Sequence, residues 1–156
     1  MVIRNSGGEV MASLSEKIVK PQTAELVEIL AARRAVLFSR ETGFFKSVFE
    51  GDSATVIKLL RDRNVSHFLG GNILKDILSY LNSFKSCSLS HIGRQRNAVA
   101  HALAQRARVS CPLEVWMGSI PPDVSSFVRS DLRSSFLMTY FLSSQKKKKK
   151  KCNYSG

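Results

Sequence analysis

The chain has 156 residues, of which 44% are hydrophobic, and can therefore bury the core of one ordinary domain. Its net charge is +12, and six of its 24 basic residues form one run at residues 146–151. Without that run, the chain still has 18 basic and 12 acidic residues. This excess of positive charge favours a polyanionic partner such as nucleic acid. No apolar stretch is long enough to span a bilayer, and we expect no membrane partner.

The cysteines indicate a reducing environment. Cys87, Cys111 and Cys152 are odd in number and lack paired spacing, which argues against a disulfide framework. The start of the chain lacks the apolar core of a signal peptide. We therefore expect an intracellular location, with nucleus and cytoplasm both open. No histidine lies at zinc-ligand spacing from a cysteine, and we expect no small-molecule cofactor.

The hydrophobic pattern predicts strands and helices in alternation. A turn at residues 5–8 separates two short strands, the second over residues 10–18, and this predicts a β-hairpin. Residues 23–39 carry the wide apolar face of a buried helix, and residues 44–50 are typical of a buried strand followed at once by a helix. Another amphipathic helix follows Gly70, then a strand over residues 85–92 and an Ala-rich helix over residues 98–107, with Asn97 as its N-cap.

Two acids lie at positions that admit two interpretations. Asp52 follows the strand over residues 44–50, and ligands bind at the carboxyl ends of strands in open α/β sheets. Asp52 could equally cap the helix that follows. Glu25 lies in the first turn of the helix over residues 23–39, where the helix dipole favours an acid whether or not it binds a ligand.

The C-terminal part of the chain has a weaker pattern. Prolines interrupt residues 111–131, and we expect an extended tail with one helical turn near residues 126–132, anchored by Trp116. The predicted organisation is a domain over residues 1–108, an extended tail over residues 109–135 and a disordered Lys-rich tail over residues 136–156. The lysine run is either a nuclear localisation signal, a clamp for a polyanion, or a translated run of adenines.

Three short motifs lie at the joints of this pattern. They are AEL at residues 24–26, EGDS at residues 50–53 and NAVAHALA at residues 97–104. Together they resemble the type 1 ribonuclease H fold, and most closely its plant, retroelement-derived branch, over roughly residues 1–132. The resemblance implies an α/β fold with a mixed sheet flanked by helices. It also implies that the first, central strand of that sheet would precede Met1 and is missing.

The resemblance further implies a function. Ribonucleases H cut the RNA strand of an RNA–DNA hybrid with two Mg²⁺ ions held by four carboxylates, since Mg²⁺ prefers oxygen ligands. Glu25 falls at the second family position and Asp52 at the third, while His101 replaces the fourth acid. With two of four ligands, we expect weak Mg²⁺ binding and slow or absent hydrolysis. His101 either contacts a phosphate when protonated or is an ordinary surface residue.

Three functions remain open on the sequence. The chain could be a domain that acts on RNA–DNA hybrids, a binding module without catalysis, or a truncated product without function. Arg94, Arg96, Lys46 and Lys58 would contact phosphates in either of the first two cases. Without the first strand, two strand edges would lack a partner, and we expect marginal stability and possible self-association through these edges.

Overall fold

The computed structural model describes residues 1–19, 23–65, 67–131 and 139–140. Within these residues the chain forms six strands and five α-helices. They are β1 (Val2–Arg4), β2 (Val10–Glu16), α1 (Ala24–Glu41), β3 (Lys46–Gly51), α2 (Ala54–Asp62), α3 (Gly71–Leu81), β4 (Ser86–His91), α4 (Ala98–Arg106), β5 (Leu113–Met117), α5 (Ser125–Asp131) and β6 (Thr139–Tyr140). The predicted α/β fold, with antiparallel and parallel strands flanked by helices, is confirmed.

The strands form two three-stranded sheets. One is antiparallel, in the order β1-β2-β5, and contains the predicted hairpin. The other is parallel, in the order β4-β3-β6. Strand β6 also contacts β1, and thus lies between the two sheets.

Strand β2 shows why helices cover both faces. Ala12 and Leu14 belong to the main core, which contains buried side chains of α1, α2 and α3. The alternate residues face the other way, where Ser13 donates a hydrogen bond to the Ser119 carbonyl and Ser15 to the Leu103 carbonyl of α4. A smaller core packs α4 and α5 against β1 on that side. The period of two along a strand therefore assigns α1–α3 to one face and α4 and α5 to the other.

The C-terminal part differs from its prediction in two places. The segment expected to be an extended tail contains β5, which pairs with β2 from Ala12 opposite Met117 to Glu16 opposite Leu113. The predicted helical turn near residues 126–132 is the seven-residue helix α5.

The range expected to be a disordered tail contains β6, whose two residues pair with Val48 and Phe49 of β3. The expected absence of a partner on this edge of β3 is therefore wrong at these two residues. The rest of residues 136–156, including the lysine run, lies outside the described residues.

None of the described helices is both long enough and apolar enough to cross a membrane.

Candidate nucleic-acid site

Asp52 lies directly after the last residue of β3, at the carboxyl end of the parallel sheet. The next residue, Ser53, caps α2, because its hydroxyl accepts a hydrogen bond from the Val56 amide at 3.4 Å. The capping interpretation of Asp52 is therefore wrong, since the neighbouring serine has that role. The Asp52 side chain is nevertheless only 4% exposed, and burial of a carboxyl needs another explanation.

Pairing between β3 and β4 brings a second segment to Asp52. Gly51 lies opposite His91, and the Ile92 amide donates to the Gly51 carbonyl at 2.9 Å. The chain that leaves β4 therefore emerges beside the residue that leaves β3. Arg94 lies in the first turn of this segment, and its Nε atom is 3.5 Å from Oδ2 of Asp52. The two residues form an ion pair between a buried acid and an exposed base.

Helix α4 supplies the third side of the site. Asn97 precedes it, as predicted, but makes no side-chain capping hydrogen bond. Its buried amide instead donates a hydrogen bond to the Asp52 carboxylate, which lowers the pKa of that acid. One turn further on, His101 shares a 2.8 Å hydrogen bond with Gln105. A pocket of about 370 Å³ joins these side chains and is closed on one side by Phe127.

Glu28 of α1 is the acid that sequence reasoning missed. It is 3% exposed, and the charge of Asp52 reaches it. Burial, followed by the negative charge of Asp52, raises the pKa of Glu28 from its ordinary 4.5 to about 8, and Arg94 opposes this rise. A signal for it exists in the sequence, because Glu28 falls within the apolar face of a long amphipathic helix.

The pKa of Asp52 is also shifted by burial. Burial raises the pKa of Asp52, while its own backbone amide, Arg94, Asn97 and His101 lower it. The charge of Asp52 raises the pKa of Glu28, so Asp52 loses its proton first and then resists ionisation of Glu28. The pair behaves as two coupled carboxyls rather than as two independent acids.

The other predicted residues lie in different places. Glu25 is exposed in the first turn of α1, one turn before Glu28. Arg96 is exposed on the same short 3₁₀ turn as Arg94. Lys46 begins β3 and thus lies at the far end of that strand from Asp52, at a distance of about 17–20 Å by strand geometry. Lys58 is exposed on α2. The structure therefore brings Asp52, Arg94 and His101 to one pocket, and Glu28 lies within electrostatic reach of Asp52.

The donor set can be tested against a metal ion. Three buried carboxylate oxygens, both of Glu28 and Oδ1 of Asp52, have no hydrogen-bond partner among the described residues. Hard oxygen donors of this kind suit Mg²⁺, which keeps several waters and takes one or two protein carboxylates. No group of three or more His, Cys, Asp or Glu side chains that could hold a metal is present in residues 1–131 as far as they are described. The described residues therefore offer carboxylate oxygens without partners, but no cluster of three ligands for a metal ion.

A second cavity of about 370 Å³ lies between α1, β2 and α4. Aliphatic side chains such as Leu14, Val27 and Leu103 form most of its wall. Arg34, which also borders it, is held by Glu16 at 2.7 Å and by Glu41 at 2.9 Å. Because most of the wall is aliphatic and Arg34 is already paired with two carboxylates, this cavity differs in chemistry from the pocket at Asp52.

A sheet with antiparallel and parallel strands, flanked by helices and carrying a buried acid after the central parallel strand, defines a domain of the ribonuclease H-like type. Residues 1–107 match the family model described as reverse transcriptase-like. The chain therefore belongs to the reverse transcriptase-like family, whose domain is of this type. No curated protein and no solved structure matches the chain.

Proposed function

We propose that the chain binds RNA–DNA hybrids in the pocket at Asp52 and cuts the RNA strand slowly with the help of a divalent cation. The observation that carries this proposal is the buried carboxyl of Asp52 in a pocket that is also lined by Arg94 and His101. A second buried carboxyl, that of Glu28, lies within electrostatic reach of Asp52. Desolvated acids cost free energy, and function is the usual reason for retaining them. The family supports a nucleic-acid ligand.

In this proposal the exposed cations contact the phosphate backbone. Arg94 and Arg96 lie on the turn that follows β4, beside the pocket, and guanidinium groups bind phosphate through paired hydrogen bonds. His101, when protonated, would add one more donor at the pocket. The excess of basic residues in the whole chain would assist the approach of any nucleic acid.

Asp52 and Glu28 would hold Mg²⁺, and Glu28 takes the role that the motif resemblance gave to Glu25. The bound cation would supply Lewis-acid chemistry at a phosphate oxygen. The chain's own contribution is to hold the two acids in place, since Asn97 donates to Asp52 and the strand and helix around them are buried. With an imidazole in place of the fourth acid, we expect slow hydrolysis. Membership of the plant, retroelement-derived branch belongs to the same proposal.

A binding module without catalysis is the second candidate. The ion pair between Arg94 and Asp52 favours it, because a guanidinium already neutralises the acid that would bind a cation. The hydrogen bond between His101 and Gln105 points the same way, since it engages the imidazole within α4.

Binding of a fluorescently labelled RNA–DNA hybrid, measured by anisotropy over a salt series, tests the proposed ligand. We expect the affinity to fall with salt, and the Arg94→Gln/Arg96→Gln variant to bind more weakly with a slope smaller by about 2. Lys46→Gln is the matched control, because it removes one positive charge at the far end of β3 and should change the affinity little. Equal losses in both variants, or no binding by the unmodified chain, would contradict the proposed site.

A further inference from the structure

The ion pair at the pocket is strongly asymmetric. Nε of Arg94 lies 3.5 Å from Oδ2 of Asp52, but the Arg94 side chain is 58% exposed and the Asp52 side chain only 4%. The acid is held by the fold, whereas most of the guanidinium is already in water. Moving Arg94 away therefore costs little for the arginine and leaves Asp52 in need of another positive charge.

Asp52 also keeps one carboxylate oxygen for a further partner. Its Oδ1 atom is buried and has no hydrogen-bond partner among the described residues. A divalent cation at this carboxylate would have to displace the charge of Arg94, since like charges at contact distance repel.

The position of Arg94 also suits a second role. It opens a short 3₁₀ turn directly after Gly93, whose surroundings contain no atom within 4 Å of an added Cβ. The Arg94 side chain lines the pocket and is largely exposed, so that a nucleic-acid phosphate could reach it. Guanidinium groups prefer phosphate as a planar, bidentate partner.

We propose that Arg94 is a built-in counter-ion that competes with a divalent cation for Asp52, and that it leaves this acid for a phosphate when nucleic acid binds. This inference rests on the proposed function, because it concerns the same pocket. This exchange of partners by Arg94 makes cation binding and nucleic-acid binding cooperative. In the absence of nucleic acid, Arg94 keeps cation affinity low; with nucleic acid bound, the same residue contacts the phosphate backbone.

Binding of Mn²⁺ to the full chain without nucleic acid, followed by the electron paramagnetic resonance signal of free Mn²⁺, tests the competition. We expect Arg94→Gln to bind Mn²⁺ about tenfold more tightly than the unmodified chain. This change in affinity is at the lower end of what a contacting charge causes, because Arg94 is exposed. Lys85→Gln is the matched control, because it removes an exposed positive charge directly before β4, at the opposite end of that strand from Arg94, and it should leave the Mn²⁺ affinity unchanged. Arg94→Gln binding Mn²⁺ equally or more weakly, or no Mn²⁺ binding by any variant, would overturn the proposal.

Two further measurements complete the design. If Arg94→Gln fails to fold by circular dichroism, the neutral variant Arg94→Met replaces it; an Mn²⁺ affinity above that of the unmodified chain supports competition, and an equal or lower affinity overturns it. A short RNA–DNA hybrid should tighten Mn²⁺ binding to the unmodified chain more than to Arg94→Gln, and an equal effect on both overturns the exchange. Binding of the hybrid without Mn²⁺ is measured separately. If the unmodified chain does not bind the hybrid, the proposed function is refuted. If it does bind, the Mn²⁺ affinities alone decide whether Arg94 competes with the cation.

Discussion

Glu28→Gln is expected to change how the stability of the chain depends on pH. The pKa of Glu28 is raised from 4.5 to about 8 in the folded chain. Between these values the folded chain keeps a proton that the unfolded chain releases. The stability that the protonated carboxyl provides is therefore complete below pH 4.5 and is lost as the pH rises towards 8. At about 1.4 kcal/mol for each pH unit, the loss by neutral pH is about 3 kcal/mol.

Glutamine resembles the protonated acid in shape but cannot ionise, so the variant should escape this loss. The free energy of unfolding, measured with urea in the presence of a chelator from pH 4.5 to pH 8, should therefore favour Glu28→Gln increasingly as the pH rises. Glu25→Gln is the matched control, since Glu25 is exposed on the same helix and should change the profile little. A constant difference between Glu28→Gln and the unmodified chain across this range would refute the reasoning.

Three further changes test the elements that hold the site. Ser53→Ala should cost about 1 kcal/mol in the free energy of unfolding, because it removes the cap of α2; no loss in urea unfolding would contradict the cap. Gly71→Ala should lower the thermal midpoint clearly, because its Cβ would lie 2.5 Å from the Val65 carbonyl oxygen, whereas Gly93→Ala, with open space, should leave it unchanged. Thr139→Pro should cost about 1–2 kcal/mol, because proline cannot donate within the ladder that joins β6 to β3; an unchanged midpoint would show that β6 contributes nothing.

Much of the fold could be predicted because its signals are local. The helix over Ala24–Glu41 shows an apolar face along the sequence, and the alternation over Ser86–His91 marks a strand in the same way. The strand that ends before Asp52 combines a buried run with an immediate helix start. These patterns depend on residues close together in the chain, and the structure follows them to within a few residues.

Strand β5 could not be predicted in this way. Leu113, Val115 and Met117 are exposed, and the alternate residues are only partly buried. The segment is a strand because β2 pairs with it across a separation of about a hundred residues, a contact that no local pattern contains. The same limit applies to β6, whose partner β3 is equally distant along the chain.

The candidate site was predictable in part. Asp52, Arg94 and His101 follow from motifs at the ends of predicted elements, and the structure brings them to one pocket. The acid that α1 presents to the site depends on which side of the helix faces it. The dipole argument favours Glu25, the acid in the first turn, and does not point to Glu28. Likewise, Asp52 and Ser53 are both good caps, and only the length of β3 decides which of them has this role.

Cleavage of a labelled RNA–DNA hybrid in Mn²⁺ and in Mg²⁺ tests the central claim most directly. The unmodified chain is compared with Asp52→Asn and Glu28→Gln, which retain the shape of each side chain and prevent its ionisation. We predict slow cleavage by the unmodified chain and no cleavage by either variant. Cleavage that persists in Asp52→Asn would contradict the proposed site, and hybrid binding without any cleavage would establish the binding module instead.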